Sequence, residues 1–163
     1  MAVVDKYTDS ALEAGKKAAA LTASGTDTFT VVGTAAVASG DDDGSIYRIF
    51  KSVPANAVPI NLTVHNTAIT SGTDYDFGLY EENSGAVVDK DILADGVSMA
   101  TARVVAVSNN VGMTTIGIAN GAQNLATVSA QTNPSSAYDI ALTANTVGSA
   151  AGTIRVVGTF AYL

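Results

Sequence analysis

The sequence predicts an all-β protein built as an antiparallel sandwich. Three observations carry that reading. From residue 28 onward, apolar and polar residues alternate with period two in run after run, the mark of strands buried on one face. Glycine, proline and small polar residues punctuate those runs at short intervals. Only 14% of the 163 residues are charged, and the mean hydropathy is +0.28, which suits a packed domain better than a disordered chain.

Residues 1–25 stand apart as an N-terminal arm. Ser10, Ala11, Leu12 and Glu13 match a capping box, in which the hydroxyl and the carboxylate each satisfy an orphan amide. A short helix over residues 11–21 would follow, with Glu13 and Lys17 four apart and Lys16 and Lys17 near its C-terminal end. So short a helix needs something to dock on, and residues 1–24 are expected to order on a neighbouring subunit.

The sandwich domain then occupies residues 26–163. The run 28–38 places Phe29, Val31, Gly33, Ala35 and Val37 on one face, and Asp41, Asp42, Asp43 and Gly44 read as a turn. Residues 45–53 carry apolar side chains on both faces, as in a strand covered on each side. Pro54 and Pro59 bracket a connection, after which Ile60, Leu62 and Val64 alternate inward against Asn61, Thr63 and His65. Tyr75, Phe77 and Leu79 face the core opposite Asp74, Asp76 and Gly78, and residues 81–96 read as a long surface excursion in which Asp91, Ile92 and Leu93 form one helical turn. Short strands are expected at 103–108 and 114–119. The last two strands place Tyr138, Ile140, Leu142 and Ala144, then Ile154, Val156, Gly158, Phe160 and Tyr162, on apolar faces, and their small-residue link predicts a hairpin. About eight strands with one helix at most favour a jelly roll, with an immunoglobulin-like sandwich as the alternative.

Composition narrows function. A net charge of −7 with eight scattered basic residues excludes general nucleic-acid binding, which needs clustered Lys and Arg. Asp5 stands where an export signal needs positive charge before an apolar run, and no eighteen-residue apolar segment occurs, so neither export nor membrane anchoring is expected. Absent cysteine removes thiolate metal sites and thiol nucleophiles.

Chemical motifs are equally sparse. Asp89, Asp91 and Asp95 could offer oxygen ligands to a hard cation, but an EF-hand loop needs a ligand, a glycine and an acid where Leu93, Ala94 and Ala100 stand. A solvated acidic turn is the expectation, with no metal and no cofactor. His65, the single histidine, lies on a polar strand face without a nucleophile elbow, so no catalytic residue is assigned. Paired-carboxylate glycoside hydrolysis fares no better, with no Trp to make a sugar platform.

The succession "VPANAVPI", "SGTDYDFGLYEENSGAVVDKDILADG" and "YDIALTANTVGSAAGTIRVVGTFAY", within residues 45–163, resembles capsid decoration, or cement, proteins of tailed bacteriophages. The resemblance implies a non-enzymatic sandwich subunit, often trimeric, on the outer face of an icosahedral shell, where it bridges major capsid subunits. Residues 1–24 would be the capsid-binding arm, with Val3, Val4, Tyr7, Leu12, Lys16, Lys17 and Leu21 as contact side chains. The alternative is a head-fibre or tail-associated module that binds a host receptor or carbohydrate through residues 81–96.

Overall fold

The computed structural model describes residues 5–7, 28–107 and 123–162. Within them the order is β1 (Asp5–Tyr7), β2 (Thr28–Val37), β3 (Ser45–Pro54), β4 (Ala57–Asn66), β5 (Asp74–Glu81), β6 (Val87–Val97), β7 (Arg103–Ala106), a single helical turn α1 (Leu125–Val128), β8 (Ala137–Thr146) and β9 (Gly152–Tyr162). One sheet runs β1-β3-β8-β5-β6 and the other β2-β9-β4-β7. Every described pairing is antiparallel except β1 on β3, so the predicted sandwich is what the chain forms. The pairs β2·β9, β3·β8, β4·β7 and β5·β6 nest one within the next, and β4·β9 and β5·β8 join them into the two sheets.

The alternation read from β2 holds residue by residue: Phe29, Val31, Ala35 and Val37 are buried, while Thr28, Thr30, Thr34 and Ala36 are exposed. Aromatic rings tie the layers together. Phe160 of β9 stacks on Phe29 at 5.3 Å between centroids and meets Phe50, from the other sheet, edge-on at 6.1 Å, geometries that add about 1 kcal/mol each beyond area burial. Gly158 makes room for the second contact, since a Cβ there would sit 2.8 Å from the Phe50 ring.

Four expectations are corrected. β8 and β9 do not form a hairpin: β8 lies between β3 and β5, and β9 between β2 and β4 in the other sheet. Their apolar faces meet across the core instead of lying side by side. The acidic stretch after β5 is a strand and not a loop with a helical turn, because residues 91–93 lie within β6. Pro59 lies inside β4, paired with Phe160 at a register shift between Pro59 and Asn61, the kind of irregularity at which strands tolerate a proline. That shift breaks the phase of the alternation, leaving Ile60 half-buried while Leu62 and Val64 are fully buried. The predicted helix over residues 11–21 and strand over 114–119 fall outside the described residues.

β5 carries the feature that shapes everything downstream. Its outward residues Asp76 and Tyr80 are each 1% exposed, as is Arg48 on β3, and Asp139 on β8 is fully buried. The cover is the excursion from β5 into β6. A Cβ on Gly78 would lie 2.2 Å from the Asp89 carbonyl oxygen and 2.4 Å from Lys90 Cα, so the β6 backbone passes directly over the sheet face there. The register records the fold-over: Phe77 pairs with Ala94 but Leu79 pairs with Asp89, so two steps along β5 match five along β6.

Candidate functional site

Three groupings of polar residues warrant a chemical test. The first is acidic. A carboxylate oxygen from each of Asp74, Asp76 and Asp95 lies within 4.8 Å of the other two. Asp89 and Asp91, read from the sequence beside Asp95 as candidate ligands, are not part of that group. Its oxygens already have partners: Asp76 accepts from the Gly96 N–H at 3.1 Å and from Asn145 Nδ2 at 2.6 Å, and pairs with Lys90 Nζ at 3.3 Å. Asn145 also donates to Asp74 at 3.2 Å and accepts from Lys90 at 2.9 Å. Burial pushes the Asp76 carboxyl up, but these donors outweigh it and hold it below the usual carboxylate range, while Asp95 is raised by its contact with Asp76. The arrangement works as a clasp that ties β6 to β5 and β8.

The second is the Arg48 and Asp139 pair beneath the same cover. Arg48 Nη1 lies 3.6 Å from Asp139 Oδ2, Nη2 donates to the Gly85 carbonyl at 2.9 Å, and the guanidinium stands 5.1 Å from the Tyr80 ring centroid. Asp139 Oδ1 accepts the Ser52 N–H at 3.0 Å. That amide points at Asp139 because Ser52 adopts a left-handed conformation, φ 53°, in a bulge of β3. Burial raises the Asp139 carboxyl above its ordinary value, opposed by the Ser52 N–H and by Arg48. A signal for this pair does exist in the sequence: each charge interrupts an apolar run whose two faces are both covered, and such charges call for each other.

The third joins Glu81 to the loop before β8. Gln131 Nε2 donates to Glu81 Oε1 at 2.5 Å, and the Ser135 hydroxyl donates to Oε2. Tyr138 then donates to Gln131 Oε1 at 2.7 Å and accepts the Ser135 N–H at 3.1 Å. Gln131 first, then Ser135, hold the Glu81 carboxyl below its ordinary value. In all three groupings the described donors and acceptors hold strands to one another or loops to strands.

The outer face of the β2-β9-β4-β7 sheet is different in kind. Its cross-strand rows run Thr30, Thr159, Asn61; then Val32, Val157, Thr63, Ala106; then Thr34, Arg155, His65, Val104. No carboxylate stands in any of these rows, on a chain with fifteen acidic residues. His65 is exposed on this face, as its polar strand position predicted. A depression of about 410 Å³ lies at its end, lined by His65, Asn66, Thr67, Arg103, Val104 and Thr153. Of the arm residues named from the sequence, Tyr7 ends β1, whose three residues run parallel to β3 from Ile46 to Arg48. Val3, Val4, Leu12, Lys16, Lys17 and Leu21 lie outside the described residues.

No protein-family model and no curated protein sequence matches the chain. Its fold is similar to that of a chain in the solved capsid of Ralstonia phage GP4, with a TM-score of 0.63, 14% identity and 98% of each chain covered. A chain of the cyanophage Pam1 capsid asymmetric unit aligns at a TM-score of 0.41 and 12% identity over 88% of this chain and 93% of that one; a likeness that weak carries no argument.

Proposed function

We propose that this chain is a structural subunit of a tailed-phage virion: a non-enzymatic decoration protein that binds the outer surface of the icosahedral shell and bridges major capsid subunits. One observation carries the reading. The chain shares its fold with a chain of a solved phage capsid over 98% of both lengths. The nested strand pairs support the finer topology, because an antiparallel ribbon folded back on itself in the order 2·9, 3·8, 4·7, 5·6 and then rolled into two sheets is a jelly roll.

The physical character of the domain fits that role. A rigid slab with a small-residue, carboxylate-poor face loses little hydration on docking, and several modest contacts on a repeating shell add up through multivalency. Residues 1–25 form the arm and 26–163 the slab. Within the arm we assign Val3, Val4, Tyr7, Leu12, Lys16, Lys17 and Leu21 to the shell.

Shells of the phage that encodes the protein, assembled without it, provide the test. The full-length chain should co-sediment with them at fixed stoichiometry and raise the temperature at which they rupture, and a chain lacking residues 1–24 should do neither while remaining folded. Absence of co-sedimentation by the full-length chain would sink the proposal.

A further inference from the structure

Among the described residues two large apolar side chains are strongly exposed, Val104 at 63% and Val87 at 59%, and their surroundings carry opposite charge. Val104 ends the row of Arg155 and His65 on the outer face of the β2-β9-β4-β7 sheet, where Arg155 has no carboxylate opposite it on either neighbouring strand: Thr34 stands on one side and His65 on the other. Val87 begins β6, where Val88 and Ile92 pack on the core; Val87 and Asp91 are exposed, and Asp89 is half-buried beside them. The Asp91 N–H lies 3.3 Å from Asp89 Oδ1, and the crowding of these two carboxylates raises Asp91. Lys90 between them is itself exposed but pairs with the buried Asp76 at 3.3 Å.

These patches cannot satisfy each other within one chain. Residues 67–73 lead directly from Asn66 to Asp74, so Arg155 and His65 lie at the Asp74 end of the slab, whereas Asp89 pairs with Leu79. That separation is about 16 Å along the strands at ~3.3 Å per residue, with the sandwich, about 10 Å between sheets, in the way. We propose that the Val104, His65 and Arg155 patch is a docking surface for a second copy of this chain, which it contacts through the Val87, Asp89 and Asp91 patch of that copy. The contact is heterologous, head to tail, and such contacts close into rings where the rotation allows. Charge complementarity and the paired valines select this partner, since an acidic strip with an apolar tip is what a face that carries Arg155, and no carboxylate in its described rows, would recognise. The contact is independent of whether the protein decorates a shell.

Sedimentation of the full-length protein without shells tests the contact. Wild type should associate with rising concentration and more weakly at high salt. Arg155→Glu should raise the dissociation constant at least about tenfold, and combining it with Asp89→Arg should restore association. The chain has no cysteine, so a disulfide can report the geometry: oxidised Val87→Cys mixed with Val104→Cys should yield a covalent dimer that neither variant yields alone. A monomeric wild type, an Arg155→Glu variant that associates as tightly as wild type, or crosslinking by either single variant would each overturn the proposal. A monomer that still sediments with shells would remove this contact and leave the capsid reading standing; an associating protein that ignores shells would do the reverse.

Discussion

Gly78→Ala is the sharpest probe of how the acidic stretch is held. The added Cβ would sit 2.2 Å from the Asp89 carbonyl oxygen and 2.3 Å from the Lys90 carbonyl carbon, where ordinary contact begins near 3.4 Å. Both are backbone atoms, so β6 must lift by more than 1 Å. Overpacking of this kind costs about 1–3 kcal/mol, and lifting the cover weakens the charge-assisted bond from Arg48 to the Gly85 carbonyl, worth roughly 1.5 kcal/mol or more. A total of about 3–4 kcal/mol, divided by an unfolding entropy of roughly 0.34 kcal/mol/K for a chain of this size, lowers Tm by about 10 °C. Thermal denaturation followed by circular dichroism measures this, and hydrogen exchange should show residues 82–92 losing protection first. Gly40→Ala is the control: nothing lies within 4 Å of its Cβ, so it should leave Tm unchanged or slightly higher. A Gly78→Ala protein melting within about 1 °C of wild type would mean that β6 does not press on the sheet.

Other perturbations test the remaining contacts. Arg48→Met strands a buried carboxylate and should cost about 3–5 kcal/mol at neutral pH. Because Asp139 is raised above its ordinary 3.8, its protonated form suits the fold, so that deficit should shrink as pH falls toward 4; a pH-independent deficit in Tm would contradict this. Glu81 has the opposite sign: its depressed carboxyl stabilises fully above its ordinary 4.5 and loses that contribution as pH falls through its folded value, so the Tm gap between wild type and Glu81→Gln should close on acidification. Phe160→Ala removes the ring that bridges Phe29 and Phe50 and should cost about 3–5 kcal/mol, read from urea unfolding. Chelator should leave Tm unchanged, because Asp74 and Asp76 already have internal donors; a clear drop would reveal a bound cation.

Alternation made most of the fold legible. It named the buried face of β2, the double cover of β3 and the inward residues of β8 and β9, because those strands obey a single period. It could not say which strands sit side by side: two strands with one apolar face each look alike whether they pair in a sheet or face each other across a core, and β8 and β9 do the latter. β6 was hidden for a different reason. Its five-for-two register against β5 breaks the period at the place where it folds over Gly78, and its acids suggested solvent. The acidic group was half legible: Asp95 was named, but its companions are Asp74 and Asp76, which only the pairing of β5 with β6 brings near. Arg155 and Val104 carried no local signal, since the row they share with His65 is assembled from three strands.

The position of β9 bears on how the protein is made. Its ten rungs with β2 run unbroken from Thr28 opposite Ala161 to Val37 opposite Gly152, and its other edge holds β4. A ribosome therefore delivers the central plank of that layer only after both of its neighbours. Until then β2 and β4 wait with open hydrogen-bonding edges, and every nascent chain passes through an aggregation-prone interval. Closure over so many intervening residues is slow, and a chain without Gly152–Tyr162 would lose the join between β2 and β4 outright.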